Sequence, residues 1–516
     1  MPTPPVIEEK ENETSFDEKY VGVGIFRFRF NLANFRLGRG LWDRRFSIAE
    51  AAVLLMLAYI GSRGLGVVRQ TIFNALFGTG PEANAFYAAV RLPDTLFNLI
   101  AGGALTHALI PVFVSYEKES GRREAWRLVS LVFNVLLVIL TTVILIGEFL
   151  APAFVTHLLV PGFDPKEQAL VTTLTRIMLA QPLILGLGTI VTAVLTSKRQ
   201  FLLPAVSIAI YNFGMIGGLL FSLAIPGVGI YGPTCGVIAA ATCQVLIQVP
   251  GLMKQGFRYT FIWNLKHPGL RQVMRLLGPN TLSVAIASIA LIIDTAYASY
   301  LSDRASLSAL HNAQMLFAFP VALLAQAVAQ AALPQMSTLA TSGRYRSLCK
   351  LVVKVAGAAI LLSVPCAIGL YLFGKPAIHI LFQHGAFTKH STEDTALALF
   401  GYAVGLPATV GSELLVKSFY ALKDARTPLF TNIVSLAGHL GLIILLLKAM
   451  SGSKYVILAI PLAASIAATG EGLLLFAILF FRLRGKMKLD RSTEGEEPDE
   501  TFDDEQGDPE TVEEGL

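Results

Sequence analysis

The segment Leu128–Gly147, LVSLVFNVLLVILTTVILIG, runs for a full membrane crossing without a charged side chain. A helix needs about 20 apolar residues to span the hydrocarbon of a bilayer. Runs of this kind recur along the chain at 48–74, 84–115, 126–151, 167–197, 201–224, 232–253, 272–301, 307–339, 347–373, 393–421, 427–448 and 455–482. With 54% apolar and only 15% charged residues, a soluble fold could not bury such surfaces and still cover its exterior with polar groups. In lipid, backbone polar groups must be satisfied internally, which leaves helices or closed barrels. The run lengths select helices. The chain is expected to be an all-α polytopic membrane protein with about twelve transmembrane helices.

Basic residues set the expected orientation. The even-numbered loops carry clusters such as Lys118, Arg122, Arg123 and Arg127, then Lys254, Arg258, Lys266, Arg271 and Arg275. The odd-numbered loops hold only Lys166, Arg304, Lys375, Lys389, Lys448 and Lys454. The asymmetry puts both termini in the cytoplasm. Residues 1–45 are acidic, then basic, with no signal-peptide pattern, and read as a cytoplasmic tail. Residues 484–516 are acidic and expected to be disordered.

The two halves between these tails look alike. PVFVSYEKESGRREAWRLV follows the second helix and PQMSTLATSGRYRSLCKLV the eighth; AVLTSKR ends the fourth and YALKDAR the tenth. An offset of six helices preserves orientation, so the repeat is parallel. The expected architecture is two pseudo-symmetric six-helix lobes, 46–256 and 257–483, enclosing a cavity to which rocking gives alternating access.

Charges inside the spans are the candidate functional groups, because each costs about 2.5–3.5 kcal/mol at a helix centre. Arg63 and Arg69 lie mid-helix in YIGSRGLGVVRQTIF, with Ser62 sharing a face with Arg69. Arginine suits phosphate: its planar fork pairs with oxygens and stays charged. Arg91 and Asp94, three apart on the second helix, flank Pro93 and can pair with each other. Asp294 in the seventh helix suggests a cation or proton site, or a partner for an arginine. Glu413 and Lys417 are four apart in the tenth, while Arg176 and Glu471 have no obvious partner in the sequence. The four cysteines and eight histidines show no metal spacing. No nucleophile–base pair, phosphate loop, cofactor motif or nucleic-acid motif is present. A transporter is expected rather than an enzyme.

The block SRGLGVVRQTIFNALFGTGPEANAFYAAVRLPDTLFNLIAGGALTHALIPVF, with LFQHGAFT and YAVGLPATVGSELLVKSFYALKDARTP, resembles the MurJ (MviN) family of lipid II flippases. That family belongs to the MOP exporter superfamily, and the resemblance implies the MOP/MATE-like fold and a bacterial inner-membrane location. It implies a substrate, undecaprenyl-pyrophosphate-linked lipid II, whose pyrophosphate the cavity arginines grip; two of them fall at Arg63 and Arg69. It also implies membrane lipids and cell-wall synthesis proteins as partners, and no cofactor. The chain departs from the family pattern at Gln70, Asn84, Asp94, Phe97, Gly102, Gln314 and Met315, several of which are charged in other members. Glu413 falls near a usual lysine. Asp294 falls at an acidic position that serves in ion coupling in some members, and its counterpart in the eleventh helix is near His439. Many members carry two further helices where this chain turns acidic after Arg484. Two alternatives follow from these departures: a flippase for another polyprenyl-phosphate-linked saccharide, and a non-transporting scaffold for cell-wall enzymes.

Overall fold

A computed structural model describes residues 48–100, 104–301 and 306–494. The expected tail 1–45 and residues 495–516 lie outside the described residues, as does the AGG segment at 101–103. The described chain is helical: α1 (Ile48–Phe77), α2 (Pro81–Ile100), α3 (Ala104–Glu119), α4 (Arg122–Phe154), α5 (Pro165–Met178), α6 (Ala180–Ser197), α7 (Leu202–Ala224), α8 (Tyr231–Leu246), α9 (Val249–Lys254), α10 (Pro268–Ser299), α11 (Ser306–Val321), α12 (Val328–Thr341), α13 (Tyr345–Phe382), α14 (Lys389–Val404), α15 (Leu406–Ala421), α16 (Arg426–Ala449) and α17 (Ala459–Glu494).

Among the described residues, nine helical runs are long and apolar enough to cross a membrane, and α14 with α15 makes a tenth, bent by 48°. With α1 and α10 these follow the expected passages one for one. The breaks have local causes. Pro152 and Pro320 each remove a backbone donor, and a π-helical segment follows each, Val155–Leu159 and Ala322–Ala327. One expectation needs correction: α17 continues to Glu494, so the start of the segment read as disordered is helical.

The packing repeats with a period of six passages. In the first half α1 packs on α7, α7 on α8, α4 on α6, and α6 on α8. In the second, α10 packs on α16, α16 on α17, α13 on α15, and α15 on α17. The matching turns share backbone geometry. Gly121 and Gly343, in the two Ser-Gly-Arg turns, have φ of 84° and 71°. Arg199 and Lys423 are left-handed at 59° and 58°, and the next amide in each case reaches back five residues, Gln200 to Leu195 and Asp424 to Phe419, both at 2.9 Å.

Small residues set the closest helix contact. A Cβ on Gly214 or Gly218 of α7 would collide with Ala240 or Gly236 of α8. Without a hydrophobic drive between helices in lipid, this close approach supplies the van der Waals contact.

Candidate substrate cavity

A cavity of about 260 Å³ opens within the first half. Arg69, Gln70 and Phe73 of α1 form one wall, and Phe86, Tyr87, Val90 and Asp94 of α2 another. Gln181 begins α6, Tyr211 and Met215 come from α7, and His311 of α11 is the second half's contribution. The volume holds a phosphate-sized group with a few waters; drug-sized ligands occupy about 300–1,000 Å³.

Polar groups at its edge are incompletely satisfied. Asp94 accepts a hydrogen bond from Gln181 Nε2 at 3.3 Å. Gln181 Oε1 and Arg91 Nε are buried without a hydrogen-bond partner. Arg91 lies within electrostatic range of Asp94, Asp294 and Tyr402. In a native interior nearly every buried polar atom is paired, so an unpaired donor and an unpaired acceptor near one cavity indicate a place for a ligand or water. His311 stacks on Tyr87 at 4.0 Å, which presents a flat aromatic surface beside Arg69.

The other candidates are placed differently. Arg63 is exposed and reaches the ring of Phe319 on α11, 5.7 Å from its centroid. Arg63 and Arg69 therefore do not converge in this conformation, as their roughly 120° separation on an ideal helix allows. Ser62 faces α7, where its hydroxyl accepts from Asn212 Nδ2 at 2.9 Å, and it does not line the cavity. Asp294 of α10 meets His439 Nε2 of α16 at 2.6 Å. Glu413 lies within electrostatic range of Glu471 rather than against Lys417, whose ammonium sits over the Tyr420 ring. Arg176 has a partner after all, Glu148 of α4 at 3.6 Å. Among the described residues no cluster of three or more metal-ligating side chains occurs.

The family profile described as "Lipid II flippase MurJ" matches residues 73–492. The chain belongs to the MurJ lipid II flippase family. The lipid II flippase MurJ of Burkholderia cenocepacia is 31% identical over 403 residues, covering 74% of this chain and 77% of that protein. The probable lipid II flippase MurJ of Rhizobium meliloti is 30% identical over 82% of this chain and 79% of its own length. Among solved structures, a lipid II flippase MurJ in an inward closed conformation superposes with a TM-score of 0.70 at 23% identity, over 83% of this chain and 87% of that one. An inward-facing MATE multidrug transporter of the MOP superfamily gives 0.71 at 14% identity, over 85% and 99%. The fold is the MOP fold of two six-helix lobes, and the family consists of membrane transporters, not enzymes.

The positions at which this MurJ-family chain departs from the family pattern now have surroundings. Phe97 is partly buried against the apolar core cluster built mainly by α3, α4 and α6. Gln70 and Asn84 take part in hydrogen bonds to α11: Gln70 Nε2 to Asn312 Oδ1 at 2.8 Å, and Ser308 to Asn84 Oδ1 at 2.5 Å. Sequence reasoning missed Tyr87, Gln181, Tyr211 and His311 as cavity residues. Gln181 and His311 carried a usable signal, a polar side chain inside an apolar run (LAQPLILG and ALHNAQ). The two tyrosines carried none, since tyrosine is ordinary in a membrane helix.

Proposed function

We propose that this protein translocates lipid II, the undecaprenyl-pyrophosphate-linked peptidoglycan precursor, across the bacterial inner membrane by alternating access. Both termini face the cytoplasm, and the headgroup enters from the cytoplasmic leaflet. The observation that carries this reading is Arg69 on the wall of an incompletely satisfied cavity in a MurJ-family fold. Its guanidinium, with that of Arg91 one turn before Asp94 on α2, offers donors to a diphosphate, and charge-assisted hydrogen bonds from arginine to phosphate oxygens are strong. Arg63, at the gap between α1 and α11, supports a role in first contact with the headgroup. Asp94 and the pair of Asp294 with His439 support charge balance and coupling as the lobes rock, and Glu413 beside Glu471 supports the same.

A second reading, a flippase for a different polyprenyl-phosphate-linked saccharide, is favoured by Phe97, which buries an apolar ring where the family carries an arginine. Complementation separates the two. A bacterium depleted of its own lipid II flippase should be rescued by the wild type at matched expression, and rescue should fail for Arg69→Ala. Rescue that survives Arg69→Ala keeps the function and removes the site. No rescue by a correctly inserted wild type moves the reading to another lipid-linked saccharide, or to a scaffold that recruits cell-wall synthesis proteins.

A further inference from the structure

The segment between α9 and α10, residues 255–267, contains no helix, yet it is tied down along α4. Arg122 at the start of α4 donates to the Gln255 carbonyl. Phe257 meets Trp126 edge-on at 5.5 Å. The Thr260 amide donates to Ser130 Oγ at 3.3 Å, the Tyr259 hydroxyl to Asn134 Oδ1 at 2.7 Å, and Asn134 Nδ2 to the Ile262 carbonyl at 3.0 Å. The chain then returns to the level of Tyr116 on α3, whose ring lies 5.6 Å from that of His267. Ser130 and Asn134 are the two polar interruptions in the first half of the apolar run Leu128–Gly147. Both are buried, and their role is to satisfy the backbone of this strap.

That geometry fixes a depth. Arg127 is the last charged residue on α4 before Glu148. Asn134 lies seven residues further on, about 10 Å at 1.5 Å per residue. The strap therefore climbs into the level where α4 is apolar, and irregular backbone survives there only when its polar groups are paired. Around the turn, Tyr259, Phe261, Trp263 and Leu265 are 51%, 78%, 50% and 56% exposed. Four large apolar side chains bared within seven residues would be a liability in water. At a bilayer boundary the same side chains form an aromatic anchor. Arg258, Lys266, Arg271 and Arg275 are exposed beside them.

We infer that residues 255–267 form a membrane anchor, seating Tyr259, Phe261 and Trp263 at the headgroup–acyl boundary and binding anionic phospholipid headgroups through Arg258 and Lys266. The partner is lipid of the leaflet at the basic end of the bundle; only the naming of that leaflet as cytoplasmic rests on the orientation proposed above. The anchor ends at Pro268, where α10 begins, and α10 packs on α2 and α3 of the first half and on α16 of the second. It thus ties to the bilayer the start of a helix that touches both rocking bodies.

Tryptophan quenching tests this on the full chain in nanodiscs, with no dependence on substrate or transport. The Trp263 signal is the wild-type emission minus that of Trp263→Phe. It should be quenched by acyl-brominated phosphatidylcholine and shielded from acrylamide in the aqueous phase. Quenching by acrylamide alone overturns the anchor. Brominated phosphatidylglycerol should quench more than brominated phosphatidylcholine at equal mole fraction, and the excess should fall by about fivefold for each cation removed in Arg258→Gln and Lys266→Gln. Equal quenching by the two lipids in the wild type overturns headgroup binding. Failed complementation with this quenching pattern intact would remove the lipid II reading and leave the anchor.

Discussion

Arg69 and Ser62 share a helical face by their spacing of seven, yet their environments assign them different work. Arg69 lines the cavity, while Ser62 is turned by Asn212 into the α1–α7 contact. Removing the Ser62 hydroxyl takes away the shortest of the three contacts of Asn212 Nδ2 and leaves it the carbonyls of Ser62 and Ile208, both at 3.3 Å, a loss of about 0.5–1 kcal/mol. Ser62→Ala should therefore lower the unfolding temperature in detergent while still supporting growth in the complementation assay. Arg69→Ala should do the reverse, abolishing growth with little change in unfolding temperature. Arg63 stands between these cases. Its contact with Phe319 is exposed, and such cation–π contacts contribute about 0.5–1 kcal/mol. Periodicity made the pair of arginines conspicuous, because charge in an apolar run is rare. It could not tell cavity from helix contact, since serine is at home in both. Nor could it foresee that Asp94 would turn to Gln181 rather than to Arg91, because α6 is 87 residues away in the chain.

The helix ends carry a second level of information, one the sequence displayed as repeated motifs without showing their purpose. Asp424, which follows YALK, accepts from the amides of Arg426 and Thr427 at 3.0 and 3.2 Å and from the Thr427 hydroxyl at 2.6 Å, and it pairs with Arg482 of α17. It thereby caps α16 and ties it to α17, at a turn outside the membrane-spanning segments. Burial alone would push its carboxyl up; the hydrogen bonds from Thr427, Arg482 and Arg426 outweigh this and hold it below the usual carboxylate range. A carboxyl depressed on folding stabilises above its unfolded value and loses that contribution as pH falls through its folded value. Asp424→Ala should then cost about 0.5–2 kcal/mol of stability at neutral pH, and the difference from wild type should vanish in strongly acidic buffer. The left-handed Arg199 and Lys423, in the matching turns that lead into α7 and α16, each carry strain that glycine would not. Arg199→Gly and Lys423→Gly should each leave the unfolding temperature unchanged or slightly raised, where alanine at either position gains nothing. The helical passages and their repeat were legible because lipid imposes length and hydropathy on every spanning helix. The π-helical segments after Pro152 and Pro320 and the bend at Gly405 were less so, since each depends on what the nearby backbone groups find as partners.

The two halves meet at the end of the bundle that carries the α1–α2 and α13–α14 turns, where an apolar core shared by Phe73 and Phe86 with Phe382 and Phe387 surrounds polar contacts between uncharged side chains. Gln70 Nε2 reaches Asn74, Tyr87 and Asn312 at 3.1, 2.5 and 2.8 Å, and Asn74 Nδ2 reaches Asn312 at 3.0 Å. Beside them the Ala386 amide donates to the Ala75 carbonyl at 2.8 Å. Gly78 and Gly385, both left-handed, let these backbones touch, and a Cβ on either would strike the opposite carbonyl. The motifs FGTG and HGAF were visible in the sequence only as family likeness; this close approach is their physical reason. If access alternates, the contact must open. Such opening separates apolar side chains, amides and hydroxyls but no ion pair, so it should be insensitive to ionic strength, in contrast to a gate held by ion pairs. Thr79 Oγ1 and Ser391 Oγ lie 2.6 Å apart across this junction, close enough that paired cysteines would hold their sulfurs near bonding distance. The variant Thr79→Cys with Ser391→Cys should support growth under reducing conditions and lose it on oxidation, with recovery on adding reductant. Each single cysteine variant should grow in both conditions. Full growth of the oxidised, demonstrably cross-linked double variant would mean that transport proceeds without separating these ends, and alternating access by rocking about this junction would have to be abandoned.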